Sequence, residues 1–190
     1  MSQILIVDDP ALIDAIKNGA VGVIPTDTVY GIVCRASDQA AVAKLYALKH
    51  REHKPGTIIA ASVEQLVDLG LKRRYMTPVE QYWPGAISVV IPSHELEYLH
   101  QGVGSLAVRI PADENLQELL KQTGPLLTSS ANLPGQPIAN TAQQAAKYFG
   151  DSVAYYVDGG DLTDHQPSTI VRVVDDALEI LRPGAVTIEE

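Results

Sequence analysis

Three short stretches hold most of the cationic and hydroxyl groups that could grip a phosphorylated ligand. They are Pro25-Thr26-Asp27-Thr28-Val29-Tyr30-Gly31, Lys49-His50-Arg51 and Ser129-Ser130-Ala131-Asn132. Lys49, Arg51 and Lys54 crowd together. Arginine offers a planar fork and lysine a point charge, a pairing suited to a triphosphate. Lys49 and Arg51 also sit at the C-terminal end of a predicted helix, where a cation gains about 0.3–1 kcal/mol from the dipole. Both readings stand. Thr26 and Thr28 follow an apolar run, at the kind of strand end where ligands settle in open α/β sheets. The other reading of that stretch is a polar turn capped by Asp27. Thr128, Ser129 and Ser130 with Asn132 can donate to phosphate from side chains and backbone N–H groups, or form a Ser/Asn turn. Arg109 ends Ser105-Leu106-Ala107-Val108-Arg109. A strand arginine among apolar residues needs an anionic partner, either a structural carboxylate or a ligand carboxylate. Arg182, before Pro183-Gly184, is either a rim charge or a phosphate contact.

The elements that must position these groups come from a chain of 190 residues, 46% hydrophobic. That is enough for one domain, 1–190, with a core that buries about two thirds or more of the unfolded surface. Lys plus Arg number 14 against 23 Asp plus Glu, a net charge of -9. A surface of that sign repels phosphodiester backbone, which argues against broad nucleic-acid binding. The single cysteine, Cys34, makes no internal disulfide and fits a reducing compartment. The start lacks a basic n-region, and no apolar run approaches the length of a membrane span. The expectation is a cytoplasmic chain with no membrane partner.

Strand and helix patterns alternate. Strands are expected at Ile4 to Val7, Val21 to Pro25, Gly31 to Cys34, Thr57 to Ala61, Ile87 to Ile91, Leu106 to Ile110 and Leu126 to Ser129. Val153 to Val157, Thr169 to Val174 and Leu178 to Leu181 complete the set. Helices are expected after Asp9-Pro10, after Asp38 as far as Leu48, over Val63 to Leu69, over Asp113 to Gln122, and from Thr141 to Gly150. Thr77-Pro78-Val79-Glu80 has a capping-box pattern for a turn or two ending near Trp83. Leu133 to Asn140 reads as a loop. The fold class is α/β (α+β) with a mixed sheet, since late strands follow one another without helices between.

The chain carries no P-loop, no Gly-x-Gly-x-x-Gly and no Gly-x-Ser-x-Gly. His50 and His53 lack an acidic or cysteine partner and read as surface residues rather than a metal pair. Cys34 has no evident base and reads as a buried thiol.

Taken together, PTDTVYG (25–31), KHR with KPG (49–56), SLAVRIP (105–111), TSSAN (128–132), PSTIV (167–171) and LRPG (181–184) resemble the YrdC/Sua5/TsaC family, the threonylcarbamoyl-AMP synthases. The motifs occur in the family's order over nearly the whole chain, in its short single-domain form. The resemblance implies a twisted mixed sheet flanked by helices around a large, concave, positively lined cavity. It implies synthesis of threonylcarbamoyl-adenylate from L-threonine, bicarbonate and ATP with release of pyrophosphate. Other proteins, the downstream threonylcarbamoyl transferases, then modify adenosine 37 of tRNA, so tRNA contact is weak or indirect. By the same resemblance Thr28, Arg109 and Ser168 hold threonine. Lys49, Arg51, Lys54, Thr128, Ser129, Ser130, Asn132 and Arg182 hold ATP, with Lys49 and Arg51 the catalytic cations. Mg2+ is expected with ATP rather than on protein ligands. The chain departs from the family at Glu52, Pro134-Gly135 and Ile138. The alternatives are an RNA- or nucleotide-binding module, or a paralogue of this fold without adenylate synthesis.

Overall fold

The computed structural model describes residues 3–7, 9–50, 53–175 and 177–188. In chain order the elements are β1 (Gln3–Leu5), α1 (Pro10–Lys17), β2 (Gly22–Ile24), β3 (Gly31–Arg35), α2 (Gln39–Leu48), β4 (Thr57–Ile59) and α3 (Val63–Asp68). They continue with β5 (Ile87–Pro92), α4 (Glu97–His100), β6 (Ser105–Arg109), α5 (Glu114–Thr123) and β7 (Leu126–Ser130). The chain ends with α6 (Ala142–Phe149), β8 (Tyr155–Val157), β9 (Thr169–Val174) and β10 (Ala177–Arg182). The helix starts follow short polar side chains. Asp9, Asp38, Ser62, Asp113 and Thr141 each accept a backbone N–H of the first turn, which satisfies a donor the helix itself cannot.

The strands form one sheet in the order β1-β8-β2-β3-β7-β4-β6-β5-β9-β10. It is mixed: β8 runs parallel to β1 and β2, β4 to β6 and β5 to β9, while β3, β7 and β10 pair antiparallel with their neighbours. Two segments differ from the sequence reading. Thr77 does not cap a helix; Thr77–Tyr82 coils as a 3-10 turn and the Thr77 hydroxyl donates back to the Arg73 carbonyl. The short α4 is bounded by Leu96 and Gln101, both left-handed, which no glycine announces.

Alternation along the strands separates two cores, because successive side chains point to opposite faces. Val23, Ile32, Cys34, Ile58, Val89, Val108, Leu127 and Tyr156 join the larger cluster with side chains of α2, α3 and α6. Ile24, Val33, Ile59, Leu126, Tyr155 and Val157 join the smaller one, under Leu12 and Ile16 of α1 and Leu116, Leu119 and Leu120 of α5. Among the described residues no helix is long and apolar enough to cross a membrane.

Gly22 is a point of forced contact. A Cβ there would lie 2.2 Å from the ring of the fully buried Tyr155. Gly22→Ala is therefore expected to destabilise the fold by about 1–3 kcal/mol, read from urea unfolding. Burial also pushes the Cys34 thiol up from 9.0 to about 12. Burial, then the Asp151 charge, moves the Tyr156 hydroxyl from 10.0 to about 12. The folded state holds these groups neutral after the unfolded chain would ionise. Their contribution to stability is whole below the unfolded values and is lost as pH rises toward 12. The melting temperature should fall across that alkaline window, and Cys34→Ala should make the decline shallower.

Candidate functional site

The second face of the sheet is filled by α1 and α5 over only part of its area. Where Val33, Ile59 and Leu126 pack beneath those helices the face is apolar. Two residues along each strand, in the same phase, stand Gly31, Thr57 and Thr128. From β6 the same face shows Ser105, Ala107 and Arg109, while Leu106 and Val108 turn into the core. The large side chains thus stop, and small or hydroxyl-bearing ones floor a cavity of about 460 Å3. Thr26, Thr28, Ser130, Pro167, Ser168 and Arg182 also line it. Gly31 sets its depth, since a Cβ there would fall 2.4 Å from the Thr128 hydroxyl.

The turn after β2 is organised by Thr26. Its hydroxyl donates to the Val29 carbonyl at 2.7 Å and accepts the N–H groups of Thr28 and Val29 at 3.2 Å each. That geometry aims Asp27 at Arg109 in a buried ion pair. The other Asp27 oxygen accepts the Ala112 N–H at 3.3 Å. Arg109 Nη2 also donates to the Thr28 hydroxyl at 3.4 Å. The anionic partner of Arg109 is thus a structural carboxylate. Its buried Nε–H has no acceptor among the described residues.

The turn that ends β7 hangs on Lys49. The ammonium is buried at 3% exposure and donates to the Ser130 carbonyl at 2.7 Å, to Asn132 Oδ1 at 2.8 Å and to the Asn132 carbonyl. Ser130 Oγ donates to Asn132 Oδ1 at 2.7 Å, and Asn132 Nδ2 donates to the Gln136 carbonyl at 2.8 Å. Lys49 and Asn132 therefore stand behind the cavity wall rather than among its lining residues. Lys54 is exposed; its backbone N–H donates to Gln101 Oε1 at 3.0 Å. Arg51 and the departure at Glu52 lie outside the described residues. Ser129 sits one step out of phase in β7, opposite Ile32, and its buried Oγ has no partner among the described residues. His50 and His53 are exposed, and the His53 ring meets the Gln101 carbonyl at 2.9 Å.

At the far wall, Arg182 Nη2 donates to the Ser168 carbonyl at 2.7 Å and approaches Ser168 Oγ at 3.4 Å. Behind Ser168 lies Ser88, whose hydroxyl is 2.9 Å from that of Ser168. The structure thus gathers Thr28, Arg109, Thr128, Ser129, Ser130, Ser168 and Arg182 around one hollow, with Lys49, Lys54 and Asn132 outside its lining. Sequence reasoning did not find Ser88 or the Asp27–Arg109 pair. The signal for Ser88 was a lone serine in the β-branched run Ile87 to Ile91. Hydroxyls and two guanidiniums around a confined space can bind carboxylate or phosphate oxygens. Among the described residues no group of three or more His, Cys, Asp or Glu side chains could hold a metal ion.

Known proteins match this chain closely. The family model Sua5_yciO_yrdC, described as telomere recombination, matches residues 14–184. A Mycobacterium tuberculosis protein is 37% identical over 189 residues, spanning 93% of this chain and 84% of its own. A threonylcarbamoyl-AMP synthase of Vibrio cholerae is 34% identical over 180 residues, spanning 90% of this chain and 95% of that one. A solved double variant of Pyrococcus abyssi Sua5 superimposes with a TM-score of 0.86 at 28% identity, covering 97% of this chain and 61% of that one. The same protein complexed with L-threonine gives 0.81 at 29% identity, covering 92% and 53%. This chain therefore spans less than two thirds of that relative.

The buried ion pair offers a direct test. Asp27→Asn strands the Arg109 guanidinium without its carboxylate and should cost about 3–5 kcal/mol in urea unfolding. The double change Asp27→Leu with Arg109→Met should recover much of that loss, because it removes both buried charges.

Proposed function

This chain belongs to the Sua5/YciO/YrdC family, and on that premise we propose that it joins L-threonine, bicarbonate and ATP into threonylcarbamoyl-adenylate, releasing pyrophosphate. The observation that carries this reading is the meeting of Thr28, Arg109, Ser130, Ser168 and Arg182 on one cavity. The threonine complex of the Pyrococcus abyssi relative supports threonine as one occupant.

The chemistry suits such a site. Threonine nitrogen and bicarbonate give the carbamate with loss of water. A carbamate oxygen then attacks the α-phosphorus of ATP, the bond to the bridging oxygen breaks, and pyrophosphate leaves with that electron pair. Both reactants are anions, so the barrier is repulsion and misalignment rather than weak nucleophilicity. Fixed cations and oriented hydroxyls lower it without a covalent enzyme intermediate.

Thr28, Arg109 and Ser168 form the threonine end. Arg109 lines the cavity beside the Thr28 hydroxyl, where its guanidinium can meet an entering carboxylate. Thr128, Ser129, Ser130 and Arg182 form the nucleotide end, and Lys54 and Arg51 add charge to it. Lys49 acts from behind, holding the Ser130–Asn132 turn in shape. Mg2+ enters as part of the MgATP substrate. The product is consumed by transferase proteins that modify tRNA, in the cytoplasm, where the buried Cys34 thiol stays reduced. The net charge of -9 fits an enzyme that hands on a small product rather than gripping RNA itself.

Purified protein in bicarbonate buffer should release pyrophosphate only when ATP and L-threonine are both present. Arg182→Ala should lower kcat/KM by about 10²-fold or more, well beyond the roughly 1 kcal/mol of stability that its hydrogen bond to the Ser168 carbonyl contributes. Pyrophosphate release without threonine, or none with all three substrates, contradicts the assignment.

A further inference from the structure

Ser88 is a buried hydroxyl that the proposed chemistry does not use. It stands in β5 between Ile87 and Val89 at 0% exposure. Its one hydrogen bond among the described residues is to Ser168 Oγ, at 2.9 Å. It is not a lining residue of the cavity; Ser168 stands between. A bare methyl would fill the same space without the desolvation cost of a hydroxyl.

The backbone around Ser168 is already pinned. Thr169 N–H donates to the Ala86 carbonyl at 3.0 Å, Ala185 N–H to the Pro167 carbonyl at 2.9 Å, and Arg182 to the Ser168 carbonyl at 2.7 Å. Gly184 packs so tightly that a Cβ there would fall 2.6 Å from the Ser168 carbonyl carbon. The remaining freedom at Ser168 is the direction of its O–H. Between two serines either oxygen can be the donor. If Ser168 donates to Ser88, it offers the cavity only lone pairs. If Ser88 donates to Ser168, the Ser168 proton is released toward the cavity. The Arg182 N–H approaches the same oxygen at 3.4 Å and can be accepted in either arrangement, but the fully buried Ser88 has no other acceptor for its own proton among the described residues, which favours the second, in which Ser168 accepts from behind and donates forward. Donors in such a chain polarise one another.

We propose that Ser88 is a positioning residue that turns the Ser168 hydroxyl into a donor toward the bound amino acid. The proposal rests on the threonine-site reading above and adds a group that never touches the substrate.

The test is calorimetric titration of L-threonine and, separately, of MgATP into four proteins: wild type, Ser88→Ala, Ser168→Ala and the double variant. Ser88→Ala should weaken threonine binding about tenfold, the worth of one hydrogen bond to a charged group. The double variant should bind threonine within about twofold of Ser168→Ala, because Ser88 has nothing left to act through. A fifth protein, Ser88→Thr, keeps the hydroxyl and should restore most of the affinity, and the MgATP affinity of Ser88→Ala should match that of the wild type. Unchanged threonine affinity in Ser88→Ala overturns the proposal and leaves the threonine reading intact. So does a full additional loss in the double variant, or an equal loss for MgATP, which marks general damage to the cavity wall. A wild-type protein that binds no threonine ends both.

Discussion

A guanidinium buried between sheet and turn is tolerable only beside a carboxylate, and the pairing of Arg109 with Asp27 ties together parts of this site that lie far apart in the chain. The arginine ends β6; the aspartate belongs to a turn 82 residues earlier. The second Asp27 oxygen reaches the Ala112 N–H just before α5. One carboxylate thereby fixes the height of the turn, the end of a strand and the approach to a helix. Thr28 can present its hydroxyl to the cavity because its neighbour is anchored in this way. The same pairing removes a positive charge from the lining, so the cavity is less cationic than a count of arginines suggests.

The cavity itself follows from strand alternation. Each contributing strand carries bulky apolar side chains in one phase, and these build the larger core. In the other phase β3, β4 and β7 carry them only under α1 and α5 and then change to glycine, threonine or serine, while Val90, Ile170 and Leu181 keep part of the cavity wall apolar. No segment is devoted to binding alone. The residues that floor the site are the alternate partners of those that hold the sheet together.

Much of this was legible in the sequence. Runs of Val and Ile marked the strands. Asp9, Asp38 and Thr141 marked helix starts, because short polar side chains can meet the free N–H groups of a first turn. The hydroxyl and arginine motifs identified Thr28, Thr128, Ser130, Ser168 and Arg182, which do line one cavity. Long-range pairing could not be read. Nothing local shows that Arg109 would pair with Asp27, or that Lys49 would turn back under the Ser130–Asn132 turn. The polar run at Thr77 obeyed the capping pattern, yet the chain there winds too tightly for that cap. The helix at Glu97–His100 was hidden because left-handed residues at both its ends are leucine and glutamine rather than glycine.

The wall that carries Arg182 comes from the last strand of the chain, against a floor begun at Gly31. During synthesis from the N-terminus, Thr28 and Thr128 emerge long before the arginine that faces them. A chain that stops before Pro167 lacks the wall to which Ser168 and Arg182 belong. A ligand held between these two walls can lend its binding energy only once both are in place. The sheet must assemble on its own apolar contacts, and substrates reward only the completed protein.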